Sequence, residues 1–270
     1  MDYSSVSASE RRFLPPAVAV STVAFALNPP LGARLEPGGA PAGARDTAQN
    51  PRAKTPLWIP LVRRTRPPFD GCWALPGGPI PWDEALSDTA LRTLRAAALH
   101  DPGYLEQLYS FGEVERSANA QRLVTIAYWA LYGERELTEP ISGHDQAGSA
   151  AATQAVSDAN VAWFPADSLP ELAFDHAAIV AYALWRLRLK TEYQAVAHRF
   201  LGPEFTLAQL RGVHEAILGE PVDPANFRRQ VLAQGRLVDT GQVQTGGRHR
   251  PARLYRFADD PDPLPEQMIA

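Results

Sequence analysis

The chain has 270 residues, 45% of them apolar and 21% charged, enough to build the cores of two domains. Its single cysteine, Cys72, excludes an intramolecular disulfide. No uninterrupted apolar run approaches the roughly 18 residues of a membrane span, and no apolar h-region follows the N-terminal charges. The expectation is therefore a cytoplasmic protein with no membrane partner. The net charge of −4 conceals an asymmetry: Arg186 to Phe257 hold twelve Lys/Arg against six Asp/Glu, a local +6, which leaves −10 on the remainder. An acidic body with a basic C-terminal segment suits a chain with one domain on nucleic acid, although a chance cluster of solvated arginines gives the same count.

In chain order, residues 1–14 are polar and read as a flexible tail, and Ala17 to Leu27 reads as a strand. Residues 28–56, dense in Pro, Gly, Ala and Arg, predict a flexible surface insertion. Leu57 to Arg63 is a second strand, stopped by Pro67–Pro68, and FDGCWALPGG (69–78) a tight loop before a helix. Asp83 is positioned to cap that helix, and Ala85 to Leu99 are nearly all good helix formers, ended by Asp101-Pro102-Gly103. Strand-like stretches follow at Leu108–Phe111 and Leu123–Tyr132. A second flexible insertion is predicted near 141–158, then a last strand at Val161–Phe164 and a long amphipathic helix from Ala173 to Leu189. A domain boundary near Lys190 divides the chain into 15–190 and 191–260, with 261–270 a tail.

The stretch from Gly78 to His100 resembles the Nudix box: Gly78, Glu84, Arg92 and Leu94 stand at the matching positions, after WALPGG and a strand. The departures carry more information. Thr93 stands where the family has Glu, Ala96 and Ala97 where it has the Glu-Glu pair, and Leu99 where it has Gly. In active family members those adjacent carboxylates bind Mg²⁺, and an alanine offers a hard cation no ligand. Alanine is also the best helix former, so the exchange keeps the helix while deleting the chemistry. The reading is a non-enzyme with no metal site and no cofactor. The alternative is a hydrolase whose metal site is relocated to Glu106, Glu113 or Glu115.

Residues 205–257 carry the second signal. Thr206 with Gln209 is a capping-box pattern opening a helix to Gly219. Asp223 is an N-cap with Pro224 at the first helical position of a helix to about Gln234. Two helices joined by so short a turn, then strands at Leu237–Asp239 and Leu254–Phe257 around TGGRHRPAR (245–253), describe a winged helix. At about 100° per residue, Phe227 and Val231 face the core, while Asn226, Arg229 and Ala233 fall opposite with Gln230 between. Asn reads adenine and Arg reads guanine in the major groove by paired hydrogen bonds. Arg228 falls nearer the core edge, for a phosphate or structural role. Arg248, His249, Arg250 and Arg253 on the wing are placed to grip phosphates or a minor groove. A protein-binding helical cap with a solvated loop remains the competing interpretation.

The fold class is α+β: a Nudix-like α/β/α sandwich with a mixed sheet, followed by a winged-helix DNA-binding domain. In this order RPPFDGCWALPGG (66–78), YLEQLYSFGEVER (104–116), WFPADSLPELAFDH (163–176), FTLAQLRGVHEAILG (205–219), NFRRQVL (226–232) and RPARLYRF (250–257) resemble the NrtR family of bacterial regulators of NAD metabolism. That resemblance implies a homodimer on a roughly palindromic double-stranded operator, with ADP-ribose or another NAD-related nucleotide as effector. A degenerate box is compatible with it, because sensing needs binding without turnover. Candidates for holding the effector are Arg63, Trp73, Gly77, Gly78 and Arg116; Trp73 also suits a core. His176, in the FDH triplet, reads as a hydrogen-bonding residue at a helix start.

Overall fold

The computed structural model describes residues 15–36, 56–117, 122–138, 160–193, 196–244 and 251–258. The expectations for the two tails, most of the first insertion and the second insertion lie outside the described residues. The elements in order are β1 (Ala17–Ala26), β2 (Trp58–Arg63), β3 (Trp73–Ala74), β4 (Gly77–Pro79), α1 (Leu86–Ala98), β5 (Tyr104–Phe111), β6 (Leu123–Tyr132), α2 (Glu134–Thr138), β7 (Val161–Pro165) and α3 (His176–Tyr193). A second group follows: β8 (Phe205–Thr206), α4 (Leu207–Leu218), α5 (Pro224–Ala233), β9 (Leu237–Gln244) and β10 (Ala252–Phe257).

The first group folds around a seven-stranded mixed sheet with the path β3-β2-β1-β6-β5, β4 adding to β1 and β7 to β2. The β1–β6 pair is parallel and in register from Ala17↔Leu123 to Ala26↔Tyr132; the other pairings are antiparallel. Strand alternation divides the side chains between two cores. Val20, Ala24, Tyr128 and Ala130 pack with Ala90, Leu94 and Ala98 of α1. Val23, Phe25, Trp129 and Leu131 pack on the other face with Ile179, Ala183 and Leu187 of α3. The result is the α/β/α sandwich with a mixed sheet that the sequence predicts. The second group is a three-stranded sheet, β8-β10-β9, against α4 and α5. Its core residues Phe205, Leu210, Val213, Ile217, Phe227 and Val231 are continuous with the α3 face of the first core. Among the described residues no helix is long and apolar enough to cross a membrane.

Several boundaries differ from the sequence reading, each for a local reason. Asp83 does not cap α1: the N-cap is Ala85, without a side-chain bond, because residues 81–84 form a turn in which Glu84 N–H reaches Pro81 O. The predicted loop 69–78 contains β3 and β4, held by pairing to β2 and β1 rather than by their own propensity. At Gly77 a Cβ would lie 2.2 Å from the Val20 carbonyl oxygen, so only glycine lets β4 approach β1. β5 begins at Tyr104 rather than Leu108, because β6 pairs it along that length. α3 starts at His176 and runs to Tyr193, three residues past the expected boundary.

Candidate nucleic-acid interface and effector cleft

The surviving box residues hold each other. Arg92 donates to both Glu84 oxygens, Nε to Oε1 at 2.7 Å and Nη2 to Oε2 at 3.0 Å, and the Thr89 hydroxyl donates to Oε2 at 2.9 Å. The Arg92 hydrogen bonds hold the Glu84 carboxyl below the usual carboxylate range. Thr93 turns its hydroxyl back onto the Thr89 and Ala90 carbonyls, Ala96 is exposed and Ala97 is buried. Among the described residues no group of three His, Cys, Asp or Glu is arranged to hold a metal ion. Of the proposed substitute carboxylates, Glu106 pairs with the Lys190 ammonium and accepts from the Tyr104 hydroxyl, and Glu113 is exposed. The Glu115 side chain lies outside the described residues.

The effector candidates gather at one end of the sheet. The turn Leu75–Gly78 is tied to the start of α3: Leu75 N–H donates to His176 Nδ1 at 3.0 Å, and Ala173 N–H to Trp73 O at 2.8 Å. His176 is therefore the helix-start hydrogen-bonding residue the sequence suggests. Burial pushes its pKa down to about 4, so the ring is neutral at pH 7 with its proton on Nε2. Arg63 is exposed, with Nε on Gly71 O at 3.1 Å. Trp73 is half-buried, edge-on to Phe164 with ring centroids 5.1 Å apart, and the Arg34 guanidinium lies 5.9 Å from its centroid. Gly78 faces open space on the side where a Cβ would point. Arg116 is a different kind of residue from the one expected. Its side chain is 7% exposed and pairs with Asp175, Nε to Oδ2 at 2.5 Å, with further bonds to Thr125 Oγ1 and the Phe111 carbonyl. Its charge is already matched inside the protein, so Arg63 is the freer cation.

Sequence reasoning passed over Phe69 and Phe174. Both have positive φ, 66° and 55°, and their rings meet with centroids 4.7 Å apart. No residue-level signal marks them, because phenylalanine rarely adopts that conformation.

In the second domain the capping box is complete: Gln209 N–H donates to the Thr206 hydroxyl while Thr206 N–H donates to Gln209 Oε1. Gly219, at φ 76°, closes α4 in the left-handed conformation. Glu215 accepts from Val222 N–H and from Arg211, which pins the short turn. Asp223 accepts from Asn226 N–H at 2.8 Å and starts α5. Phe227 and Val231 are buried, as the 100° step predicts, with His214 of α4 edge-on to Phe227. Asn226, Arg228, Arg229, Gln230 and Ala233 are all exposed. Arg229 Nη2 donates to Asn226 Oδ1 at 2.9 Å, so the two predicted base readers sit side by side. Arg228 and Arg253 line a cleft of about 850 Å³ between the start of α4 and the wing, and Arg253 pairs with Asp239 at 2.7 Å. Arg248, His249 and Arg250 lie outside the described residues. An exposed helix beside a two-stranded wing matches the groove-reading geometry of DNA-binding winged helices.

The two domains share a continuous apolar core and a specific hydrogen bond. Arg188 Nε of α3 donates to Ile217 O in the last turn of α4 at 3.1 Å. Within the first domain, Lys190 near the end of α3 pairs with Glu106 of β5 and lies 5.5 Å from the Trp129 ring centroid, which ties this helix end to the sheet.

Residues 197–257 match the family model for the NrtR DNA-binding winged helix domain. The chain is 33% identical over 204 residues to the "ADPR responsive transcriptional repressor NtrR" of Acinetobacter baylyi, covering 75% of this chain and 76% of that protein. The crystal structure of Shewanella oneidensis NrtR complexed with a 27mer DNA superposes with a TM-score of 0.62 at 31% identity, over 89% of this chain and 93% of that one. The chain belongs to the NrtR family. As a family member it is a transcriptional regulator that couples a Nudix-like domain to a C-terminal winged helix for DNA. The chain is also similar to an ADP-ribose pyrophosphatase of Methanocaldococcus jannaschii, at 28% identity over 130 residues, 47% of this chain and 67% of that enzyme.

Proposed function

We propose that this NrtR-family chain is a repressor-type sensor. Its first half (15–190) binds ADP-ribose or a related NAD-derived nucleotide without hydrolysing it, and its second half (191–260) releases operator DNA in response. Two copies bind a roughly two-fold operator beside genes of NAD metabolism. One observation carries the sensing half of the reading: α1 keeps its helix, its Glu84–Arg92 pair and its packing, but presents Ala96 and Ala97 where a pyrophosphatase needs carboxylates. A nucleotide-diphosphate cleft without that cluster retains recognition and loses turnover. Support for the effector comes from the Acinetobacter relative, whose name gives it as ADPR-responsive.

On the DNA side, Asn226 and Arg229 read bases from α5, with Gln230 beside them. Arg228 at the cleft and Arg248, His249, Arg250 and Arg253 on the wing hold phosphates or the minor groove. In the sensor, Arg63 faces the effector's pyrophosphate, with Trp73, Gly77, Gly78 and the Arg116–Asp175 pair around it. The Arg188–Ile217 hydrogen bond and the apolar core shared by α3 and α4 supply the route between the halves. The test has two parts. The purified chain, given ADP-ribose with Mg²⁺ or Mn²⁺, is expected to leave it intact by chromatography; AMP production that scales with protein and stops in EDTA overturns the sensor reading. Capture and sequencing of bound genomic fragments is expected to return sites beside NAD genes, and fragments without a shared sequence overturn the operator reading.

A further inference from the structure

Phe69 and Phe174 lie far apart in sequence, each with a backbone conformation that bulky L-residues rarely adopt, and each has its ring against the other. Strain of this kind persists only where the surroundings over-determine it, and it concentrates at ligand clamps. The surroundings here are specific. Cys72 N–H donates to Phe69 O and Gly71 N–H to Arg64 O, closing the 64–72 loop on itself. Arg64 braces the loop with Nε on Pro68 O at 2.9 Å, and its guanidinium lies 4.8 Å from the Phe174 ring centroid. Phe174 precedes Asp175, the partner of Arg116, and His176, the acceptor for Leu75 N–H. The aromatic pair is thus fixed to the segments that carry Arg63, Trp73, Gly77, Gly78 and Arg116. Its outer member, Phe69, is 46% exposed, so part of its ring is open to solvent.

Resting on the reading that this domain binds a nucleotide, we infer that Phe69, backed by Phe174 and Arg64, is the platform on which the planar base of that nucleotide stacks. The two arms of the ligand are then divided. The pyrophosphate lies toward Arg63 and the glycine turn, and the base lies on the Phe69 ring. Base–aromatic stacking needs a rigid π face with one side open, and the braced, half-exposed Phe69 provides it.

The test exploits the backbone strain. Asparagine tolerates the left-handed conformation, so Phe69→Asn removes the ring while keeping the loop's path. ADP-ribose is titrated calorimetrically into the full chain, Phe69→Asn and Phe69→Tyr, and each variant's thermal melt is recorded. The inference expects Phe69→Asn to melt within a few degrees of the parent and to bind ADP-ribose at least tenfold more weakly, with Phe69→Tyr restoring affinity to within threefold. If the parent binds and Phe69→Asn binds equally well, the platform is refuted and the effector reading stands. If Phe69→Asn melts far below the parent and Phe69→Tyr fails to restore binding, the ring is a structural staple and the inference is likewise wrong. If the parent takes up no ADP-ribose, the effector reading falls and the platform with it.

Discussion

Lowering the pH from 8 to 5 is expected to destabilise this protein through two histidines that the fold keeps neutral. His176 and His214 are both pushed down from 6.5 to about 4 by burial. In the unfolded chain each takes a proton as pH falls through 6.5, whereas in the native state each resists until about 4. The stability they confer is therefore complete above 6.5, is lost progressively between 6.5 and 4, and is gone below. At pH 5 the linkage relation gives about 2 kcal/mol per site, about 4 kcal/mol for the pair, a large part of a typical domain's stability. Carboxylates titrate in the same range, so the informative quantity is a difference between variants. His214 stands edge-on to Phe227 between α4 and α5, and leucine can fill that site without titrating. Urea denaturation at pH 8 and pH 5 should show the parent losing about 2 kcal/mol more than His214→Leu over that interval. Equal losses in the two proteins would refute the claim that burial holds His214 neutral.

Three further outcomes follow from particular contacts. Arg229→Ala should cost about 1–3 kcal/mol of operator affinity and relax one base position; binding that matches the parent on both operator and random duplex would mean α5 is turned differently from the groove-facing geometry. Gly77→Ala should destabilise the first domain by more than about 2 kcal/mol in a thermal melt, since the Cβ would meet the Val20 carbonyl and neither backbone can yield cheaply. Ala96→Glu, on the exposed side of α1, should leave stability within about 0.5 kcal/mol, whereas Ala97→Glu should cost at least about 2 kcal/mol by placing a carboxylate at a buried position. A tolerated Ala97→Glu would put the helix in a different rotation from the one described.

The parts of this molecule legible in sequence are those fixed by local rules. Thr206–Gln209 and Asp223–Pro224 specify helix starts through bonds made within a few residues, and the structure has both. The spacing of Phe227 and Val231 specifies a buried face in the same way. What escaped the sequence depends on partners distant along the chain. β3 and β4 are two- and three-residue strands that exist because β2 and β1 accept them. Asp83 has the composition of a cap, but the turn through Glu84 moves the helix start beyond its reach. Arg116 looks in sequence like a free cation, and only folding brings Asp175, 59 residues away, against it. The Phe69–Phe174 pair is least legible of all, because its positive φ values run against the preference of the residue that adopts them.

On the proposed mechanism, a nucleotide held in the first domain weakens DNA binding by the second without being consumed. Fluorescence anisotropy of a labelled operator fragment, titrated with the full chain at fixed salt, with and without saturating ADP-ribose, measures that coupling. The operator complex should be at least tenfold weaker when ADP-ribose is present, equivalent to about 1.4 kcal/mol of coupling, and by linkage the operator must weaken ADP-ribose binding by the same factor. Operator curves that superpose at saturating ADP-ribose would contradict it.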